Sequence, residues 1–180
     1  MTYEALAALA EAAGFTAWAP LDPDTIELKH QVREMCAANV CGQYGRRWSC
    51  PPGCGSLEDC AEKLRPFWGG ILVQTCGDVE DSFDFEAMQL LEQVHKTHFS
   101  EMHRALLARN VKTLALGAGC CTLCPVCTYP DAPCRFPEQA VSSMEAFGMV
   151  VPDVCRANGL PYYYGSDKIA YTGCFLIAAE

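Results

Sequence analysis

The stretch ILVQTCGDVEDSFDFEAMQLLEQVHKTHFSEMHRALLARNVKTLALG, residues 71–117, decides the fold. Its first six residues, Ile71-Leu-Val-Gln-Thr-Cys76, form a short run of mainly apolar and β-branched side chains that reads as a buried strand. Residues 84–109 follow as the longest periodic segment of the chain. Wound at 3.6 residues per turn, Met88, Leu91, Val94, Phe99, Met102 and Leu106 fall on one stripe, which predicts one long helix packed along that face. Thr113-Leu-Ala-Leu-Gly117 then reads as a second short strand. Strands separated by helices predict an α/β fold: a small mixed or partly parallel sheet flanked by helices, with cysteine-rich loops at its edge.

Working toward the N-terminus, Ser56-Leu-Glu-Asp59 is a capping signature whose helix should stop before Pro66. Residues 39–55 read as an irregular loop. Asp24-Thr-Ile-Glu27 resembles a capping box opening a helix through about Ala38, with a partly extended segment the equal alternative. Residues 3–13 are strong helix formers, with Thr2 as N-cap and Gly14 placed to stop the helix. Toward the C-terminus, a cysteine-rich loop runs to Arg135, short helices are expected near 137–147 and 153–158, and Ile169 to Ala178 gives a closing strand. No repeat, low-complexity tract or linker interrupts the chain, so residues 1–180 are expected to form a single domain.

The composition narrows the function classes. A chain of 180 residues, 51% hydrophobic and 19% charged, buries roughly 70% of its unfolded surface, which excludes a disordered or collagen-like chain. Its formal charge of −9 offers no broad basic surface for phosphates, so nucleic acid is not an expected partner. The longest apolar run falls far short of the about 20 residues of a membrane helix. Met1 to Gly14 carries two Glu and no Lys or Arg, and the expectation is a soluble, cytoplasmic protein that is not secreted and has no membrane partner. There is no Walker loop, GxGxxG, nucleophile elbow or HExxH, so no catalytic residue is named.

Thirteen cysteines in such a chain make metal or cluster ligation the first hypothesis, because reduced, exposed thiols oxidise readily. The sharpest signal is GAGCCTLCPVCTYPDAPCRFP, residues 117–137, where Cys121, Cys124, Cys127 and Cys134 read C-x2-C-x2-C-x6-C. Three thiolates at every third residue and a more distant fourth are how ferredoxin-type 4Fe-4S clusters are held. Zinc is the rival, since Cys124-Pro-Val-Cys127 would serve as a knuckle, but zinc sites usually take two separated pairs. Cys120, Cys124 and Cys127 also give the spacing of radical S-adenosylmethionine enzymes. Little chain follows Cys127 for a barrel of about 250 residues, so that registration carries little weight.

The second constellation is Cys36-x4-Cys41-x8-Cys50-Pro-Pro-x-Cys54. Cys36, Cys41 and Cys50 form its trio, and the fourth ligand of this second site could be Cys54, Cys60 or a distant residue. Arg46 and Arg47 in the same loop either stabilise a reduced cluster or decorate a solvated turn. Cys76, Cys155 and Cys174 read as small buried hydrophobes. His95 and His98, on the apolar stripe, read as satisfied core histidines, and His103 and His30 as surface residues. Tyr162, Tyr163 and Tyr164 read as an aromatic strand packed on the sheet, or less simply as a pocket lining. The acidic run from Asp78 to Glu86 complements the dipole at the start of the long helix.

Taken together, CGQYGRRWSCPP, EDSFDFEAM, the 117–137 run and SMEAFG resemble the predicted metal-binding proteins grouped as domain of unknown function 2284, over about Ile26 to Ile177. The resemblance implies that Cys121, Cys124, Cys127 and Cys134, with Cys36, Cys41 and Cys50, are the recurrent ligands, that Cys54 is variable and that Cys120 is often Gly. It also implies an anaerobic bacterial or archaeal setting, and it names no reaction. The expected function is therefore a 4Fe-4S protein, with a second cluster as an addition, passing single electrons to a protein redox partner. The alternatives are an iron-sulfur enzyme with an open iron acting as Lewis acid, and a zinc-stabilised interaction module.

Overall fold

A computed structural model describes residues 1–178. Five strands, β1 (Ala17–Leu21), β2 (Phe67–Asp78), β3 (Thr113–Gly117), β4 (Ser142–Ser143) and β5 (Lys168–Ala178), form one sheet in the order β1-β2-β5-β3-β4. The β1-β2, β2-β5 and β5-β3 ladders are antiparallel, and β3-β4 is parallel. The sheet is therefore mixed. β2 and β3 run the same way, joined through the long helix α4 (Phe85–Ala108), but β5 lies between them, which makes a split β-α-β unit.

One face of the sheet is covered by α1 (Tyr3–Ala13) and α4. Their core joins Leu6, Ala10, Phe15, Phe99, Met102 and Leu106 to Ile71, Val73, Phe175 and Ile177 of the central strands. α1 starts where Thr2 accepts a hydrogen bond from Ala5 N and ends at Gly14, whose φ of 94° suits glycine. α4 lies close against β5: a Cβ on Gly173 would sit 2.5 Å from the Phe99 ring, and Phe99 stacks on Phe175 with centroids 4.3 Å apart. Such stacking adds about 0.5–1.5 kcal/mol to the area buried.

The other face packs on α3 (Leu57–Leu64), α5 (Val151–Ala157) and the 3-10 turn Glu145–Phe147. Leu72, Leu116, Cys174 and Leu176 meet Met144, Met149, Val154 and Cys155 there. The Ser56–Asp59 capping box is formed in full, and α3 ends before Pro66 as expected. α2 (His30–Ala37) buries none of its residues and carries the first cysteine loop at its C-terminal end.

The structure differs from the sequence expectations at several elements. From Asp24 the partly extended alternative holds: a 3-10 turn (Pro23–Thr25) and an extended stretch in which Leu28 bridges Met149 precede α2, which is shorter than the full helix to Ala38. The expected helix near 137–147 is instead turns, β4 and the 3-10 turn, and β1 was not anticipated because Pro20 interrupts it. That proline is tolerated on an edge strand. His103 is buried, 7% exposed, rather than a surface residue, because the buried stripe of α4 is wide enough to include it. Tyr162 to Tyr164 form no strand: Tyr163 is 77% exposed, and Tyr164 donates to Gln74 Oε1 at 2.6 Å.

Candidate metal centre

The first cysteine group is assembled by α2, the turns after it and α3. Cys36 sits in the last turn of α2, and Cys41 follows in turns that need the left-handed residues Asn39, Gly42 and Gly45. Cys50 and Cys54 stand one helical turn apart, with Cys54 N donating to Cys50 O. Cys36 and Cys50 each lie within electrostatic reach of both Cys41 and Cys54. The four residues of this constellation are therefore neighbours in space.

Beneath them Arg33 forms a fork. Its Nη1 donates to Ala146 O and its Nη2 to Gly55 O, both at 2.6 Å, and Nη1 is 3.6 Å from Cys54 Sγ and 3.7 Å from Cys60 Sγ. A hydrogen bond from the Cys60 thiol, with the charges of Arg33 and Lys63, holds Cys54 down to about 6 against the opposing effect of burial. Cys60, fully buried and donating to Cys54, is shifted the other way. Burial pushes Cys50 up to about 11 and also raises Cys36. The Cys60 hydrogen bond and two neighbouring cations thus favour the thiolate form of Cys54, whereas burial disfavours it at Cys36 and Cys50 until something replaces their protons.

The second group lies on a segment, residues 118–141, without helix or strand. It is pinned from outside by residues 47–49. Arg47 Nη1 donates to Cys121 O at 2.9 Å, Trp48 Nε1 to Ala132 O at 3.0 Å, and Cys121 N to Ser49 Oγ at 3.2 Å. Trp48 also packs edge-on against Tyr129, with centroids 4.9 Å apart. Cys121, Cys124, Cys127 and Cys134 all line one small cavity, together with Arg47, Ser49 and Phe136. At Cys127 burial opposes the thiolate, but backbone hydrogen bonds at Tyr129, Trp48 and Thr128 and the charge of Arg47 outweigh it, so the thiol is held below its ordinary value.

The two groups adjoin each other. Cys120 lies within electrostatic reach of Cys50, while Cys121, its chain neighbour, lines the second cavity. Sequence reading left Cys120 in a discarded registration; its signal was the vicinal Cys120-Cys121 pair, which lets one loop face two sites. Cys120 is the distant candidate for fourth ligand of the first group, beside Cys54. Cys60 is turned toward Cys54 and Arg33. Arg33 was missed altogether, since a lone Arg on a polar helix carries no sequence signal. Among the described residues, no three His, Cys, Asp or Glu side chains are already gathered into a set that could hold a metal ion. The thiols of the second group share a cavity wall, and those of the first are neighbours, without either set meeting at a point.

A mixed α/β sheet with two adjoining groups of cysteines defines a cysteine-rich α/β protein. The chain belongs to the predicted metal-binding protein family DUF2284, whose profile matches residues 19–177. That span takes in every cysteine of both groups. No curated protein and no solved structure matches the chain.

Of the described helices, none is long and apolar enough to cross a membrane.

Proposed function

We propose that this protein is an iron-sulfur electron carrier, with a 4Fe-4S cluster held by Cys121, Cys124, Cys127 and Cys134. A second cluster would be held by Cys36, Cys41 and Cys50, with Cys54 or Cys120 as the fourth ligand. The observation that carries the reading is that all four cysteines of the C-x2-C-x2-C-x6-C run share one cavity wall. Such a cluster takes up and releases one electron at a time.

The chain's own residues suit that work. Backbone hydrogen bonds at Cys127 and the Arg47 charge stabilise negative charge on sulfur, which raises the reduction potential of a bound cluster. Arg33 and Lys63 do the same beside Cys54. The hydrogen bonds of Cys121 to Ser49 and Arg47 keep the two groups adjacent, so an electron entering at one has a short path to the other.

Docking to a protein redox partner is supported by the apolar side chains around both loops. Val40 is 94% exposed beside Cys41 and Val126 is 76% exposed between Cys124 and Cys127, with Met35, Leu123 and Phe136 nearby in sequence and also exposed. Exposed apolar side chains beside both cysteine loops, in a chain of net charge −9, fit a transient partner with apolar contacts and a basic surround.

The test is anaerobic purification with iron, zinc and acid-labile sulfide measured on the same sample as a visible spectrum before and after dithionite. About eight irons and eight sulfides per chain and a spectrum that bleaches would establish both clusters. About four of each would restrict the reading to one cluster, expected at Cys121 to Cys134. Zinc without sulfide in a colourless sample would overturn it in favour of a structural zinc module.

A further inference from the structure

Residues 47–49 stand between the two cysteine groups, and Ser49 touches both. Its Oγ accepts from Cys121 N at 3.2 Å and lies 4.0 Å from Cys50 Sγ, so one hydroxyl meets a proposed ligand residue of each site. Ser49 is only 4% exposed, which keeps both contacts largely out of water. The two loops press together closely here: a Cβ on Gly53 would sit 2.5 Å from Arg47 O and 3.0 Å from the Tyr129 ring. The other two links, from Arg47 Nη1 to Cys121 O and from Trp48 Nε1 to Ala132 O, end on carbonyls of the second loop, and Arg47 Nε is held by Gln43 Oε1. Neither of those links includes a sulfur of the first group.

The direction of the Ser49–Cys50 contact depends on the state of the sulfur. While Cys50 is a thiol, either atom can be the donor. A metal-bound thiolate has no proton and can only accept. Ser49 then donates to Cys50 Sγ, and the contact gains the strength of a hydrogen bond to an anion. A hydroxyl that donates to an anion is polarised and becomes a better acceptor for the Cys121 N–H. One chain of hydrogen bonds thus runs from the backbone of the second loop to a sulfur of the first.

We propose that Ser49 couples the two cysteine groups, so that a metal held at one strengthens binding at the other. The inference rests on the reading of both groups as metal sites, but it is indifferent to whether the metal is iron or zinc. Ser49 acts as a positioning residue: loading the first group fixes its hydroxyl on Cys50, and that hydroxyl holds the backbone at Cys121. Linkage makes the effect reciprocal, with the same factor in both directions. The second loop has no helix or strand of its own, so its four thiols gain most from a neighbour that is already loaded. Half-loaded chains are disfavoured, and the protein fills both groups together.

The experiment is an anaerobic titration of the reduced, metal-free full chain with cobalt(II), read by its thiolate-to-metal absorption against a competing chelator. Four chains are compared: the natural sequence and one with the first group vacated by Cys36→Ser and Cys41→Ser, each with and without Ser49→Ala. Vacating the first group should weaken cobalt binding at the second about fivefold or more where Ser49 is present, and less than twofold where it is Ala. A general loss of stability from Ser49→Ala cancels in this ratio. A second readout needs no Ser49 variant: with Cys124→Ser and Cys127→Ser, cobalt at the first group should still slow exchange of the Cys121 amide. Two filled groups with no weakening on vacating the first, a weakening that survives Ser49→Ala, or unchanged Cys121 exchange would overturn the coupling alone. Cobalt taken up at one group only, or at neither, would overturn the reading of two metal sites and this inference with it.

Discussion

The two cysteine regions are held by different means. The first grows out of regular structure, with Cys36 in α2, Cys60 in α3 and the Arg33 fork tying the intervening turns to Ala146 and Gly55. The second is an irregular loop held by side chains of residues 47–49, which belong to the first region. The first therefore keeps much of its shape from protein contacts alone. The second depends on those borrowed contacts and on whatever its thiolates bind, so most of its ordering free energy is expected to come from ligand binding. The shared contacts couple the two loops in both directions, but the second, with no helix or strand of its own, has more to lose when they are loosened.

The strongest way to break this comparison is to remove a ligand from each side. Cys124→Ser or Cys127→Ser should lower the iron content by about four atoms per chain and leave residues 118–141 open to limited proteolysis, with α2 and α3 still protected. Equal proteolysis of both regions would refute the contrast.

Acid should act next most strongly, at the cavity wall the second loop shares with α4. Burial, His98 and Lys96 push His95 down to about 3, and burial lowers His103 as well. With a folded value below the unfolded value of about 6.5, the unfolded chain binds the proton first. Stability is then fully present above about pH 6.5 and falls as the pH drops toward 3, by up to about 1.4 kcal/mol per pH unit for His95. Thermal melts from pH 7 to 4 should show this slope, and His95→Gln should flatten it; an unchanged slope would mean the ring is not what titrates.

Replacing Arg33 by Met leaves two carbonyls and the Cys54 sulfur without their donor. A loss of about 3 kcal/mol is expected, read as a fall in Tm of about 6–12 °C in both metal-loaded and metal-stripped protein. A fall confined to the loaded form would mean that Arg33 serves the metal alone. The smallest change is Trp48→Phe, which removes one hydrogen bond to Ala132 at a cost of about 1 kcal/mol. Its mark should be faster amide exchange over residues 128–134, with α3 unaffected.

The long helix and the central strands were legible because burial imposes a period on them. α4, β2 and β5 lie within a residue or a few of where the apolar pattern puts them, and both capped helices, α1 and α3, begin at their capping residues. Short elements were legible only where the run was mainly apolar and unbroken, as in the five residues of β3. β1 has five residues including a proline, and β4 has two. The cysteine spacings picked out two groups, and their members are neighbours in space. Spacing is a local property, so it could not show that Cys120 turns toward Cys50, that Arg33 lies beneath Cys54, or that the Thr75 hydroxyl joins His95 to His98.

The position of β5 sets the order in which the molecule can be finished. It is the last strand in the chain and the middle strand of the sheet, hydrogen-bonded to both β2 and β3. During synthesis the cysteine loops leave the ribosome before the strand that closes the sheet behind them. For that interval β2 and β3 have a gap between them, the cores on both faces are incomplete, and the thiols are accessible. Until β5 is in place the cysteine loops belong to an unfinished sheet, and its pairing with β2 and β3 closes that window.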